Sequence, residues 1–224
     1  MKYVHKKFQW LVLLLMLSGL ALSGVGCLDS SSKSKDKAPA EEAEPEAKEE
    51  KPRPIVAYGD SLTTGDAAPG VTPYPARVAD IKGTSVLNRG VNGQSSCAAA
   101  NGADRPLANK PTFFLILVGT NDVLAGHQLD GSKECIRSMI HKARAAGAVP
   151  IIATIPPMIG DYETLMPKVD YLNGLIRELA GEEGVKLVDL AKQFRSGEGL
   201  LLPDGFHPNE TGTQLIAFAF AEAF

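Results

Sequence analysis

A three-layer α/β/α sandwich around a five-stranded parallel sheet is the fold class that this 224-residue chain predicts. Three observations carry it. From Pro54 onward, short apolar runs alternate with longer stretches of helical periodicity, the order expected when helices cross over between parallel strands. The apolar runs are nearly continuous, so both faces of the sheet must be covered. The interval from 54 to 224 holds one domain with a proper core and leaves no room for a second.

The strands are read at 55–58, 85–87, 113–118, 149–155 and 185–188. Each is a run rich in β-branched or aromatic residues, bounded by Gly, Pro or polar turns. Phe113-Phe114-Leu115-Ile116-Leu117-Val118 is the most apolar of them. The helices are read at 76–81, 132–146, 166–179 and 210–224. Ile136, Met139, Ile140 and Ala143 share one face of the second, and Val169, Leu172, Ile176 and Leu179 share one face of the third. In the last, Leu215, Ile216, Phe218 and Ala219 are available for docking. No internal repeat is evident.

The N-terminal segment reads as an address. Lys2, Lys6 and Lys7 precede an apolar run from Trp10 to Val25, which ends at Gly26-Cys27. That is a basic region, a hydrophobic region and a small-residue cleavage site, so residues 1–26 are expected to be a signal peptide. Cys27 at the cleavage point resembles the lipobox cysteine of bacterial lipoproteins, which implies a lipid anchor in the cell envelope. Leu28 in place of Asp leans toward the outer membrane. Gly24 stands where that pattern has Leu, and a plain secretory signal or an uncleaved anchor is the alternative. Residues 27–53 are rich in Ser, Lys, Glu, Ala and Pro with almost no large apolar side chain, the composition of a disordered tether.

Formal net charge is -3, with both signs spread along the chain. Nucleic acid is therefore not expected as a partner. No glycine-rich phosphate loop or dinucleotide fingerprint is present, and none of His5, His127, His141 and His207 has His-Glu-x-x-His spacing. No cofactor and no metal are expected, and the chain is expected to be a monomer.

Four blocks carry chemistry. They are Gly59-Asp60-Ser61-Leu62, Asn88-Arg89-Gly90-Val91-Asn92-Gly93, Gly119-Thr120-Asn121-Asp122 and Asp204-Gly205-Phe206-His207-Pro208. A serine hydroxyl is a poor nucleophile until a neutral imidazole takes its proton, and that imidazole must be held in the right tautomer by a carboxylate. Ser61, His207 and Asp204 suit these three roles. Asp204 and His207 are three residues apart on a loop with Gly205 between, so they can turn toward one another. The segment 113–118 is followed by Asn121, at the strand end where open α/β sheets bind ligands. There is no Gly-x-Ser-x-Gly elbow, which argues against the ordinary α/β-hydrolase architecture.

In this order the blocks resemble the SGNH hydrolase superfamily, also called the GDSL esterases and lipases, and the resemblance covers 54–224. It implies a flavodoxin-like fold and hydrolysis of carboxylic esters through an acyl-Ser61 intermediate. It also implies an oxyanion hole formed by the N–H groups of Ser61 and Gly93 and the side-chain amide of Asn121. The segment 172–189 looks most like lysophospholipase-like and acetylesterase-like members, so short-chain acyl or lysophospholipid-type esters are expected as substrates. A carbohydrate O-acetyl esterase acting on polysaccharide is the alternative, and a catalytically idle binding lipoprotein is a third reading from a different class. In relatives the loop at 156–162 borders the acyl pocket. Met158, Ile159, Tyr162 and Leu165 would then line an acyl channel, an ordinary connection being the other reading.

Besides Cys27 there are Cys97 and Cys135. In an exported domain they can pair. Equally, each can be a small buried residue, Cys135 at the start of a helix and Cys97 in the Ser-Ser-Cys-Ala run after Gly93, and that is the reading favoured here.

Overall fold

A computed structural model of the chain describes residues 52–67 and 69–224. The signal, Cys27 and the tether up to Lys51 lie outside the described residues, while Arg53, read as the tether's last residue, is held to the domain by hydrogen bonds to Lys110 O, Pro111 O and Gly147 O. The five strands are β1 (Ile55–Gly59), β2 (Val86–Asn88), β3 (Phe113–Leu117), β4 (Val149–Ala153) and β5 (Lys186–Val188). All pair in parallel in the order β2-β1-β3-β4-β5. This is the sheet the sequence predicts. The strand order reverses between β1 and β3, where Gly59 pairs with Leu117. Sheets of this kind leave a crevice at such a switch point, outside the carboxyl ends of the strands.

The longer helices are α2 (Tyr74–Lys82), α3 (Ser96–Gly102), α6 (Leu129–Ala145), α7 (Met166–Glu183) and α9 (Glu210–Ala221). Short ones are α1 (Ser61–Thr64), α4 (Asp104–Leu107), α5 (Thr120–Leu124) and α8 (Leu190–Phe194). Helices α2, α8 and α9 pack together as one layer, and α3, α4, α6 and α7 as the other. The faces read from sequence spacing are the buried ones. Met139, Ile140 and Ala143 of α6 and Leu172, Ile176 and Leu179 of α7 are fully enclosed with Phe114, Leu115 and Ile151 of the sheet. On α9, Ile216 and Ala219 are buried, but Phe218 is half exposed.

Two departures from the sequence reading, among several shifted boundaries, have clear physical reasons. Strand β4 stops at Ala153, because Asn173 captures the next backbone groups: its Oδ1 accepts from Ile155 N–H at 2.8 Å and its Nδ2 donates to Ile155 O at 3.0 Å. The backbone there turns from strand partner to helix side chain. Helices α3 and α4 were not read at all. Cys97-Ala98-Ala99-Ala100 is too short and too uniform to show a period, and only the Ser95 side chain, which accepts from Ala98 N–H, marks the start.

The cysteines require a correction. Cys97 on α3 and Cys135 on α6 form a disulfide, with sulfurs 2.04 Å apart and Cα atoms 4.9 Å apart. The packing of α3 on α6 brings them together, and this is a contact between elements that spacing along the chain does not encode.

Candidate active site

Ser61 opens α1 directly after β1. Its position depends on Gly59, where a Cβ would lie 2.0 Å from the carbonyl oxygen of Leu117 on β3. Only glycine allows that approach, and the chain then turns at the sheet edge. Asp60 caps α1, its Oδ1 accepting from Leu62 N–H at 2.9 Å.

His207 sits on a tight hairpin closed by a bridge between Leu201 and Pro208. Leu202 N–H donates to His207 O at 2.7 Å, and Gly205 N–H donates to Leu202 O at 3.0 Å. Asn209 then caps α9 through Gly212 N–H and ties the base of the hairpin to Gly199 O and Leu201 O. The tip is braced by the loop after β4. Ile159 N–H donates to Gly205 O at 2.9 Å, and a Cβ on Gly205 (φ +85) would come 2.4 Å from Ile159 O. Tyr162 meets Phe206 edge-on, and Phe206 lies against the His207 ring with centroids 4.2 Å apart.

This framework brings residues 146 positions apart into contact: His207 Nε2 is 2.9 Å from Ser61 Oγ. On the other side of the ring, Nδ1 is 2.7 Å from Asp204 Oδ2. Asp204 also accepts from the backbone N–H groups of His207 at 3.0 Å and Phe206 at 3.2 Å. Partial burial works to raise its carboxyl, but these hydrogen bonds and the His207 ring outweigh it and hold the group below the usual carboxylate range. A charged Asp204 keeps the proton on Nδ1, which leaves Nε2 free to receive the serine proton.

Asn121 is at the start of α5, beyond β3. Its Nδ2 donates to Gln94 O at 3.2 Å and makes a longer contact of 3.4 Å to Asp60 Oδ2. It therefore links the residue before Ser61 to the residue after Gly93, and the three oxyanion-hole candidates form one cluster. Gly93 takes φ +71. Among the loop and cap hydrogen bonds of the described residues, neither Ser61 N–H nor Gly93 N–H has an acceptor, so both are available to a ligand.

Two carboxylates that the sequence reading passed over support this cluster. Asp122 is buried: its Oδ2 accepts from Ser96 N–H at 2.8 Å and from Ser96 Oγ at 3.0 Å, and its Oδ1 accepts from Ser132 Oγ at 2.7 Å. It joins α5 to α3 and α6 one residue from Asn121 and beside the disulfide. Asp60 is wholly enclosed. Burial pushes its carboxyl from 3.8 up to about 7; the hydrogen bond from Leu62 opposes this and the nearby charge of Asp122 adds to it. The signal for both was their place inside two of the four blocks, although nothing local revealed their partners.

The crevice at Ser61 and His207 is lined by Leu62, Gly65, Ala67, Val71, Pro73, Pro208 and Thr213, and it encloses about 260 Å³ including space open to solvent. The residues read as an acyl channel lie elsewhere. Met158 is buried, its N–H directed at Met166 Sδ, while Ile159 and Tyr162 brace the histidine loop. Among the described residues, no group of three or more His, Cys, Asp or Glu side chains is placed to hold a metal ion.

A parallel α/β sheet with a serine, an imidazole and a carboxylate in hydrogen-bonded series at its carboxyl edge is the architecture of a serine-type hydrolase. The chain belongs to the GDSL-like lipase/acylhydrolase family, whose model matches residues 57–215, well over half of its length. It is 27% identical over 173 residues to a thioesterase 1/protease 1/lysophospholipase L1 of Escherichia coli K12, covering 73% of this chain and 79% of that one. Among solved structures, it resembles a G-D-S-L family protein from Desulfitobacterium hafniense, with TM-score 0.68, 26% identity and coverage of 77% of this chain and 99% of that one. It shares its fold with an acetyl-xylooligosaccharide esterase from Geobacillus, with TM-score 0.65, 22% identity and coverage of 76% and 93%.

Proposed function

We propose that this hydrolase cleaves short-chain carboxylic esters through an acyl-Ser61 intermediate. The supporting observation is the continuous series Asp204–His207–Ser61, at 2.7 and 2.9 Å. As Ser61 Oγ attacks the acyl carbon, His207 Nε2 takes its proton. The negative charge that develops on the carbonyl oxygen is met by the N–H groups of Ser61 and Gly93 and by the Asn121 amide, which exchanges its long contact with Asp60 Oδ2 for the oxyanion. Collapse breaks the ester C–O bond, and His207 returns the proton to the departing alkoxide. Water then attacks the acyl-enzyme with His207 again as base, releasing the acid and restoring Ser61.

The acyl range follows from the small crevice. Each buried methylene contributes about 0.8 kcal/mol, so a long-chain enzyme needs an extended apolar channel. The walls beside Ser61 enclose too little space for one, and Met158 is sealed in the core. Acetyl to about hexanoyl esters are the substrates of choice on this reasoning. Carbohydrate O-acetyl esters fall inside that range and are the second reading, favoured by the same small crevice.

Two measurements test this reading. A fluorophosphonate should leave one adduct on the wild-type chain and none on Ser61→Ala. Absence of an adduct on the wild type, or an equal one on the variant, would refute the mechanism. Across p-nitrophenyl esters from acetate to palmitate, kcat/KM should peak at the short end, and a maximum at decanoate or longer would move the reading to lysophospholipids.

For its location, we propose export and lipid attachment at Cys27, supported by the basic and apolar run that ends at Gly26-Cys27. The full chain should partition into detergent and carry acyl label, and Cys27→Ser should lose both. Wild-type protein exported without label would favour a soluble secreted form.

A further inference from the structure

A second and larger cleft lies on the other side of the oxyanion-hole loop. It is bordered by Tyr58 of β1, by the Arg89–Gln94 segment and by the end of α4 with Arg105 and Asn109, and it encloses about 1220 Å³ on the measure that gives about 260 Å³ beside Ser61. The charged side chains in its lining are Arg89 and Arg105. Among the described residues, neither Arg89 nor Arg105 has a carboxylate within salt-bridge reach, whereas Asp104, the acid next to Arg105, is taken by Lys142 at 2.9 Å. The contact that Arg89 Nη2 makes on Asn109 Oδ1 is long, at 3.4 Å. Two guanidinium groups facing one cleft without a carboxylate are suited to an anion, which they can hold through paired, charge-assisted hydrogen bonds.

Gln94 braces the wall of this cleft. Its Nε2 donates to Tyr58 Oη at 3.3 Å, and the Tyr58 proton is already committed to Ala99 O at 2.9 Å. Gln94 Oε1 is left without a donor, the one such buried side-chain atom among the described residues. That oxygen is enclosed by protein, so the exposed arginines are the groups open to a ligand. The Gln94 carbonyl accepts from Asn121, so this wall is continuous with the oxyanion-hole cluster.

We propose that this cleft binds a small organic anion, its carboxylate or phosphate held by Arg89 and Arg105. The assignment rests on the cleft alone and stands apart from the catalytic reading, because its test measures binding. Calorimetric titration of the full chain with D-glucuronate and with sn-glycerol 3-phosphate distinguishes an acidic sugar from a polyol phosphate, with D-glucose and glycerol as neutral controls. Saturable binding of at least one anion is expected, with neither neutral control bound. Arg89→Gln/Arg105→Gln should weaken it about tenfold or more, while fluorophosphonate labelling of Ser61 continues. The proposal is overturned by failure of both anions to bind, by equal binding of the neutral controls, or by unchanged affinity in the double arginine variant.

Discussion

Replacing Asp60 by Asn isolates the energetic effect of the buried carboxyl beside the nucleophile. Asp60 is fully enclosed and titrates at about 7 rather than 3.8. Because the folded state holds this proton more tightly than the unfolded chain, the sign is opposite to that of a carboxylate with a cationic partner. Below the unfolded value both states are protonated and nothing is lost. As pH rises from about 4 to about 7, the unfolded chain ionises first and the folded state loses stability; above about 7 the loss is constant. A difference of about three units at 1.36 kcal/mol each makes that loss about 4 kcal/mol. In Asp60→Asn the amide oxygen still caps Leu62 N–H, which Asn does as well as Asp. The contact with Asn121 Nδ2 is lost, at about 1 kcal/mol. The variant should therefore be slightly less stable than wild type at pH 4 and more stable at pH 8, with melting temperatures crossing between and a total relative swing of roughly 10 °C. Parallel thermal scans of both proteins from pH 4 to 8.5 measure this, and titrations common to both cancel in the difference. A wild-type-minus-variant curve that is flat across that range would refute the reasoning. The neutral state also bears on catalysis, since an uncharged Asp60 does not oppose a negative charge forming beside Ser61.

Asn121→Ala should lower kcat about 10²- to 10³-fold, with the circular dichroism spectrum unchanged, as for loss of one oxyanion donor; wild-type turnover in a folded variant would remove it from the site. Asp204→Asn should lower kcat by up to about 10⁴-fold, because an amide does not hold the same His207 tautomer. Reduction of Cys97–Cys135, which are 38 residues apart, should cost about 2–4 kcal/mol in urea unfolding. Cys97→Ser/Cys135→Ser should match the reduced protein and show no response to reductant.

Much of the fold was legible because strands and amphipathic helices have local signatures. Ile55–Gly59 and Phe113–Leu117 are apolar runs that only a doubly covered sheet can bury, and the spacing of Ile136, Met139, Ile140 and Ala143 marks the inner face of α6 before any partner is known. The four site blocks were legible for a related reason. Each is a turn at the end of a strand or the start of a helix, where Gly, Asp, Asn and Ser stand out against the apolar runs on either side. What the sequence left open depends on which surfaces meet. Asn173 ends β4 from eighteen residues away, and the disulfide exists because α3 lies on α6. Met158 and Tyr162 pack into the core and onto the histidine loop, where an acyl channel was one expectation. The ionisation of Asp60 belongs to the same group. A carboxyl's proton affinity follows from the solvent and charge around it, and both are settled only when β1, β3 and the loops at their ends have closed over it.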